Sequence, residues 1–526
     1  MKLERIHEYV LPVVATLGGM AIAVFCGKLT GNGQMGTLAF IIASSIAMFL
    51  ILGLRQNIWL LIPVGWVLYG QIPILPLPFA VRDLTVMVVF VGFLGLMAFK
   101  VVRIKPKIDI ADLCLLIMII YMVTVFIRNP VGVNALGSER VGGRPYFDAG
   151  IAILAYWVLA RAQADRLLTP FLPFYVLGAQ FFEMALNLIA FHVPKTAPYL
   201  MGLYTGVDPS RYEGESIYRR NFAETSGRQS YLAAFGNVLS LVCCSVWRPL
   251  TLVTPLYWWR FIAFAISCSL VALSGFRSGL IAIAAYMVIA SLIRGKKSDL
   301  ITLGLIAVPA LVALVALQGT VINLPKSIQR SLSFLPGKWD EAALADARNS
   351  TQWRLDLWKI YLSEDKYIDS KWFGDGFGFS QRQLAVMNAR RLYNEADIEE
   401  FLIVGNVHSG PLSTIRYVGY VGLALFLILL IATCCKAWNL ARRAKDSPYF
   451  HLAIFLCIPL IYSPFSFVFI FGSFDGNLPT AIYSLGLLKM LSNSLDTWES
   501  SKDSNASYER RNKQRRVAIS EVPVGA

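Results

Sequence analysis

Apolar residues along this chain gather into long runs, and polar residues collect in the stretches between them. A helix needs ~20 mostly apolar residues to cross a bilayer, within a range of ~17–25. Runs near that length occupy 9–27, 36–54, 57–78, 83–99, 109–127, 149–163, 167–191, 229–247, 257–274, 278–293, 299–319, 412–435, 450–472 and 478–492. The pattern predicts an all-α polytopic integral membrane protein with about 12–14 transmembrane helices. Two runs are irregular. Pro63, Pro73, Pro76 and Pro78 interrupt 57–78, which suits a piece that enters and then returns where protein or water satisfies its backbone. The run 149–163 is short for a full crossing.

Lys and Arg in short loops mark the cytoplasmic side of a membrane protein. Lys2 and Arg5, Arg55, the group Lys100, Arg103, Lys105 and Lys107, Arg161 and Arg166, the group Arg294, Lys296 and Lys297, and the group Lys436, Arg442, Arg443 and Lys445 all fall on one side. Arg510, Arg511, Lys513, Arg515 and Arg516 of the tail join them, so both termini are expected in the cytoplasm. The tail is too polar to build a core and would lie against anionic lipid at most. The first run imitates a signal peptide cut at Ala21-Ile22-Ala23, but Glu4 and Glu8 precede it and the charge alternation works with the segment kept. The chain thus divides into an N-terminal bundle (1–319), a large extracytoplasmic loop or cap (320–411), C-terminal transmembrane helices (412–492) and a basic cytoplasmic tail (493–526).

Composition agrees with this class. Hydrophobic residues make up 56% and charged residues 15% of the 526 positions, against about 25% charged in a soluble domain. A mean hydropathy of +0.57 cannot be hidden in one globular core, since cores stop growing near ~250–300 residues. Much of the net charge of +15 sits in short loops, so it does not read as a nucleic-acid footprint. All eight cysteines lie in or at the ends of apolar runs with no CxxC spacing, the pattern of small buried hydrophobes.

Polar material is long in three extracytoplasmic segments, 128–148, 192–228 and 320–411. The last holds eleven Lys/Arg, twelve Asp/Glu and four tryptophans, Trp339, Trp353, Trp358 and Trp372. Residues 350–362 begin with Ser350-Thr351 and put Trp353, Leu357, Ile360 and Tyr361 near one face, predicting a helix in a cap resting on the membrane. Gly374-Asp375-Gly376-Phe377-Gly378 lacks the spacing and flanking strand of a nucleotide fingerprint and reads as a tight turn that lets backbone approach something closely. Glu395 and Asp397, behind Arg390 and Arg391, read as a solvated charged face. Of the four histidines, His192 and His408 fall outside, and neither HExxH nor a histidine pair occurs, so no metal and no cofactor is expected. Glu183, with Asn187 on the same helical face, is an intramembrane carboxylate that pairs with an arginine or acts in chemistry.

Five features then follow in order, all facing outside: Arg219-Arg220 upstream of Ser226-Gly227; the hairpin Leu273-Ser274-Gly275-Phe276-Arg277-Ser278-Gly279; Arg354 with Trp358; Gly374–Gly378; and Val407-His408-Ser409-Gly410 leading into a span. This order, over residues 200–435, resembles the bacterial O-antigen ligase and O-antigen polymerase superfamily, with Ser409 standing where the family commonly has Asn. The resemblance implies a multi-pass inner-membrane enzyme with the large loop periplasmic. It would transfer glycan, without metal, from a polyprenyl (undecaprenyl) diphosphate carrier to an acceptor hydroxyl on a glycan or on lipid A-core. Ligase and repeat-unit polymerase share that chemistry; a flippase of lipid-linked sugars is the rival from another class. Arginine grips phosphate oxygens in pairs, so Arg220, Arg277, Arg354 and Arg416 are the diphosphate candidates. Alternatives stand beside three of them: a charge at an outer turn for Arg277, stacking on Trp358 for Arg354, snorkelling for Arg416. His408, just before the span that starts near Leu412, is the catalytic candidate, because imidazole accepts a proton near neutral pH; a loop-bonding or donor-positioning role is the alternative.

The topology is testable by labelling. Cysteines introduced into 320–411 should react with a membrane-impermeant reagent in intact spheroplasts, and cysteines in 436–446 should not; the reverse pattern would turn the cap to the cytosol.

Overall fold

The computed structural model describes residues 53–75, 79–100, 107–130, 142–165, 167–207, 229–364, 367–378 and 407–520, with isolated positions between 27 and 50 and at 402 and 405. Regular structure among the described residues is helical, apart from single bridges at Gln71–Ala80 and Gln318–Ile322. The expected all-α polytopic class is what the chain adopts.

Besides two short helices, Ala197–Leu203 and Pro249–Leu252, the described α-helices are α1 (Leu61–Val67), α2 (Val81–Ala98), α3 (Ile110–Arg128), α4 (Arg144–Leu159), α5 (Leu172–His192), α6 (Ser230–Val246), α7 (Trp258–Leu273), α8 (Arg277–Ile293), α9 (Lys297–Leu317), α10 (Lys326–Leu332), α11 (Glu341–Ser363), α12 (Gly410–Arg443), α13 (Phe450–Phe465) and α14 (Phe474–Ser520). Among the described residues, seven helices are long and apolar enough to span a membrane, α2, α3, α5, α7, α9, α12 and α13, and α6 and α8 are shorter apolar helices. Helix α14 packs along α4, α12 against α3 and α13, and α6 against α5 and α7. Small residues permit the closest approaches: a Cβ on Gly486 of α14 would lie 2.9 Å from the Tyr156 Cα of α4.

Among the described residues of the irregular run 57–78, helix extends only to Val67, as a 3-10 turn from Arg55 followed by α1. At 1.5 Å per residue that is roughly 20 Å, short of the ~30 Å hydrocarbon core. The chain then turns back through the Gln71–Ala80 bridge into α2. The cap helix predicted over 350–362 is α11, and it starts nearer the preceding span. The Asp340 carboxylate caps it by accepting from the Ala342 and Ala343 amides at 3.0 and 3.3 Å, so Ser350 and Thr351 lie inside the helix instead of opening it. Asp109 caps α3 in the same way.

Charges sort to the two ends of the bundle. At one end Lys489 meets Asp109 (3.2 Å) and Asp112, Lys436 meets Asp109 (2.5 Å), and Arg443 meets Asp496 (2.6 Å), tying α3, α12 and α14 together. At the other end Arg82, Asp83, Arg144 and Asp148 form a closed quartet between α2 and α4, with contacts of 2.5–3.2 Å. Asp83 is fully buried there.

Helix α12 is the longest apolar span and it is broken. Gly419 has φ +69° and ψ −177°, and a Cβ there would stand 2.2 Å from the Trp372 carbonyl oxygen. Gly419→Ala therefore meets both a strained backbone and a backbone wall. It should lower stability by about 1–3 kcal/mol, read as a depressed unfolding midpoint of the detergent-purified protein. Gly304→Ala, where a Cβ meets open space, should leave that midpoint unchanged.

Candidate functional site

The break at Gly419 strands backbone groups that a continuous helix would pair, and the glycine-rich loop supplies their partners. The Asp375 and Gly376 amides donate to the Arg416 and Tyr417 carbonyls at 3.0 and 2.9 Å. In return the Tyr420 and Val421 amides donate to the Lys371 and Trp372 carbonyls at 2.9 and 3.2 Å. Such contact demands bare backbone: Gly374 has φ +75°, and a Cβ on it would lie 2.4 Å from the Val418 nitrogen. The close approach expected of this turn is thus made to the broken helix.

Side chains fix the arrangement from both sides. The Asp375 carboxylate accepts from the Asp369 and Ser370 amides (2.9 and 2.8 Å) and pairs with Arg416 at 2.9 Å. Arg416 is only 2% exposed and also reaches the Gly378 carbonyl at 3.4 Å. From α3, the Tyr121 hydroxyl lies 2.8 Å from the Val418 carbonyl and 3.2 Å from that of Phe373, and Arg128 donates to the Phe373 carbonyl at 3.0 Å. The Gly142 amide donates to the Phe377 carbonyl at 2.7 Å. Tyr361 of α11 packs nearby, fully buried. Burial pushes its phenol well above its usual range, against the pull of the Arg416 charge.

His408 stands two residues before the start of α12, half-buried, with φ +51°. A non-glycine residue in that region is strained and persists only where its surroundings fix it. They do so here. The Trp358 indole donates to the Val407 carbonyl at 2.7 Å, and Val407 is fully buried with Leu357, Tyr361, Ile368 and Leu402. The imidazole sits between Trp353 and Phe471, with ring centroids at 5.7 and 5.6 Å. On the far side Gly410 presses against Phe467, where a Cβ would lie 2.4 Å from the carbonyl oxygen. The Phe474 amide donates to the Ser413 hydroxyl at 3.1 Å. The turn between α13 and α14 is thereby drawn against the His408 segment.

The predicted residues fall into separate settings. Arg354 follows Trp353 on α11, so it belongs to the helix that touches His408. Arg277 opens α8 and is bound to the Arg330 carbonyl (3.2 Å) and the Ser333 hydroxyl (3.1 Å) at the foot of the cap. Arg416 lies behind the glycine loop, its charge met by Asp375. Arg220, Glu395 and Asp397 lie outside the described residues. Glu183 does not meet an arginine among the described residues: Gln180 donates to it at 3.3 Å and the Tyr204 hydroxyl at 3.4 Å. That departs from the arginine pairing expected of it, because the loop bearing Tyr204 folds back over α5. Sequence reasoning missed Asp375 as the partner of Arg416. It also missed Tyr121 and Arg128, although their spacing of seven places both on one face at the end of a span.

Residues 262–427 match the family described as O-antigen ligase. The matched segment runs from α7 through the break in α12 and includes Arg277, Arg354, the glycine loop, His408 and Arg416, so the resemblance to the O-antigen ligase and polymerase superfamily is borne out. No curated protein matches the chain.

Removing one partner of a buried ion pair leaves the other desolvated, at about 3–5 kcal/mol. Asp375→Asn should therefore depress the unfolding midpoint strongly, and Arg416→Met added to it should recover part of the loss. A double-mutant cycle on thermal unfolding reads both; additive effects would mean that the pair does not couple.

Proposed function

We propose that this O-antigen-ligase-like protein is a membrane glycosyltransferase that moves a glycan from a polyprenyl diphosphate carrier to an acceptor hydroxyl at the periplasmic face. The observation that carries the reading is His408, held in a left-handed conformation between two aromatic rings beside the broken helix, inside the family-matching segment. In the proposed reaction the acceptor oxygen attacks the sugar carbon that bears the diphosphate. The carbon–oxygen bond to the diphosphate breaks and its electron pair leaves with the phosphate oxygen, while His408 takes the hydroxyl proton. Arg354 and Arg277, with Arg220, are proposed to hold the leaving diphosphate. No metal enters this scheme. For Arg416, the fourth arginine candidate, the pairing with Asp375 favours holding the glycine loop in the break over gripping the donor.

Ligation to a lipid A-core acceptor and polymerisation of repeat units share every step at the carrier. Whichever acceptor is used, a positioned general base contributes typically 10²–10⁴-fold. His408→Ala should lower transfer at least ~100-fold while membrane insertion and donor binding persist. Surface glycans of the variant strain separate the rivals on a gel. Loss of all attached long chains indicates ligase, and single-repeat products indicate polymerase. Near-normal chains at matched protein level would retire the base assignment, and a gene deletion that accumulates lipid-linked sugar on the cytoplasmic side would indicate a flippase.

A further inference from the structure

At the end of the bundle read as cytoplasmic, the link between α6 and α7 includes the short helix Pro249–Leu252, which packs on α7, α8 and α9. Segments 246–262 and 290–300 meet in this corner. They carry five cations, Arg248, Arg260, Arg294, Lys296 and Lys297, and a single carboxylate, Asp299. Arg248 takes that carboxylate at 2.6 Å, and Arg294 donates to the Cys244 and Ser245 carbonyls at 2.9 and 2.8 Å. Arg260 has no carboxylate partner among the described residues. Its guanidinium lies 4.8 Å from the Tyr257 ring centroid and 5.3 Å from that of Trp259, and it donates to the Thr251 hydroxyl at 3.4 Å. Its Nε is buried with no hydrogen-bond partner among the described residues. Lys296 and Lys297 are exposed.

Two aromatic rings hold the Arg260 cation through their negative faces, so its orientation is set before any anion arrives. The planar fork grips phosphate oxygens in pairs. Two flanking features select a lipid phosphate over a soluble one. Leu256, Trp258 and Phe261 are exposed around the start of α7, and tryptophan at the end of a span belongs at the headgroup level of a bilayer. Helix α9, which begins at Lys297, buries none of its apolar stretch against the described residues, so acyl chains have a surface to follow from the cations into the hydrocarbon. Basic pockets between transmembrane helices on the cytoplasmic side bind anionic headgroups. We propose that this corner is a specific site for an anionic glycerophospholipid of the adjoining leaflet, its headgroup phosphate on Arg260 with Lys296 and Lys297 beside it. At its other end α7 reaches the foot of the cap, where the Ser331 hydroxyl lies 3.2 Å from the Ala272 carbonyl. The site is thus a span away from the cap, and it does not depend on the transfer reaction proposed above.

Native mass spectrometry of the full-length protein in detergent, titrated with phosphatidylglycerol and separately with phosphatidylcholine, tests it. The wild type should bind phosphatidylglycerol at least ~10-fold more tightly, within the reach of one charged hydrogen bond. Arg260→Gln should remove most of that preference, and Lys296→Gln combined with Lys297→Gln should reduce it. Lys338→Gln, an exposed cation at the cap, should leave it unchanged. If the wild type holds the two lipids alike, or a folded Arg260→Gln keeps the full preference, the proposal falls. Should Arg260→Gln fail to fold, the lysine variant decides, and an unchanged preference there overturns the site. Displacement of phosphatidylglycerol by an equal concentration of soluble glycerol 3-phosphate would make this a free-phosphate site and overturn the lipid assignment.

Discussion

A backbone amide or carbonyl buried away from water has to find a partner, and that rule governs the break in α12 more than any other part of this molecule. Residues 416–419 are all buried, so water cannot serve the groups that Gly419 strands. The loop 371–376 serves them instead, two amides given in each direction. Gly374 and Gly419 exist in that contact because any Cβ would drive the two backbones apart. The loop and α12 are therefore joined by main chain, which cannot be exchanged for other side chains without losing the joint. From Gly419 to Arg443 the remaining helix is still roughly 36 Å long, enough to cross the hydrocarbon alone.

Charge is handled in the same spirit. Arg416 with Asp375, the quartet of Arg82, Asp83, Arg144 and Asp148, and the Lys489 group each gather opposite charges before burying them. Buried pairs of this kind add little net stability, since desolvation offsets the attraction. What they do is penalise any arrangement in which one member is displaced. Asp375 is the clearest instance: its carboxylate is held within its own loop by the Asp369 and Ser370 amides, so a loop that moved away would carry a fixed anion off and leave Arg416 buried and unpaired by it.

Hydrophobic run length was enough to read the class of fold, because a bilayer imposes one length scale on every span. The glycine turn was legible as a site of close backbone approach, and Trp358 was legible as part of the cap helix. The partner of that turn was not. Arg416 and Asp375 are separated by 41 positions, and the pairing depends on a helix break that hydropathy averages away. Tyr121 and Arg128 were invisible for a related reason: they sit in the half of the chain where only apolar runs could be read, and their role is to satisfy carbonyls contributed by the other half. The start of α11 was misplaced because Ser350-Thr351 and Asp340 are all capping residues, and only the fold shows which of them stands at a helix end.

The way the break is filled also bears on the proposed chemistry. A transporter uses broken helices to expose backbone at the bilayer midplane, where cargo must be held from both sides in turn. Here the stranded backbone is filled by the protein's own loop. Gly405 lies against Arg416 and Tyr417 of the broken helix, and α11 fixes Val407, next to His408, through Trp358. The strained His408 backbone is thus fixed by its surroundings, and fixed groups act most strongly because they need no rearrangement. Under the proposed transfer reaction a group fixed in this way suits a site that need not move, and suits less well a cycle that must alternate between two faces.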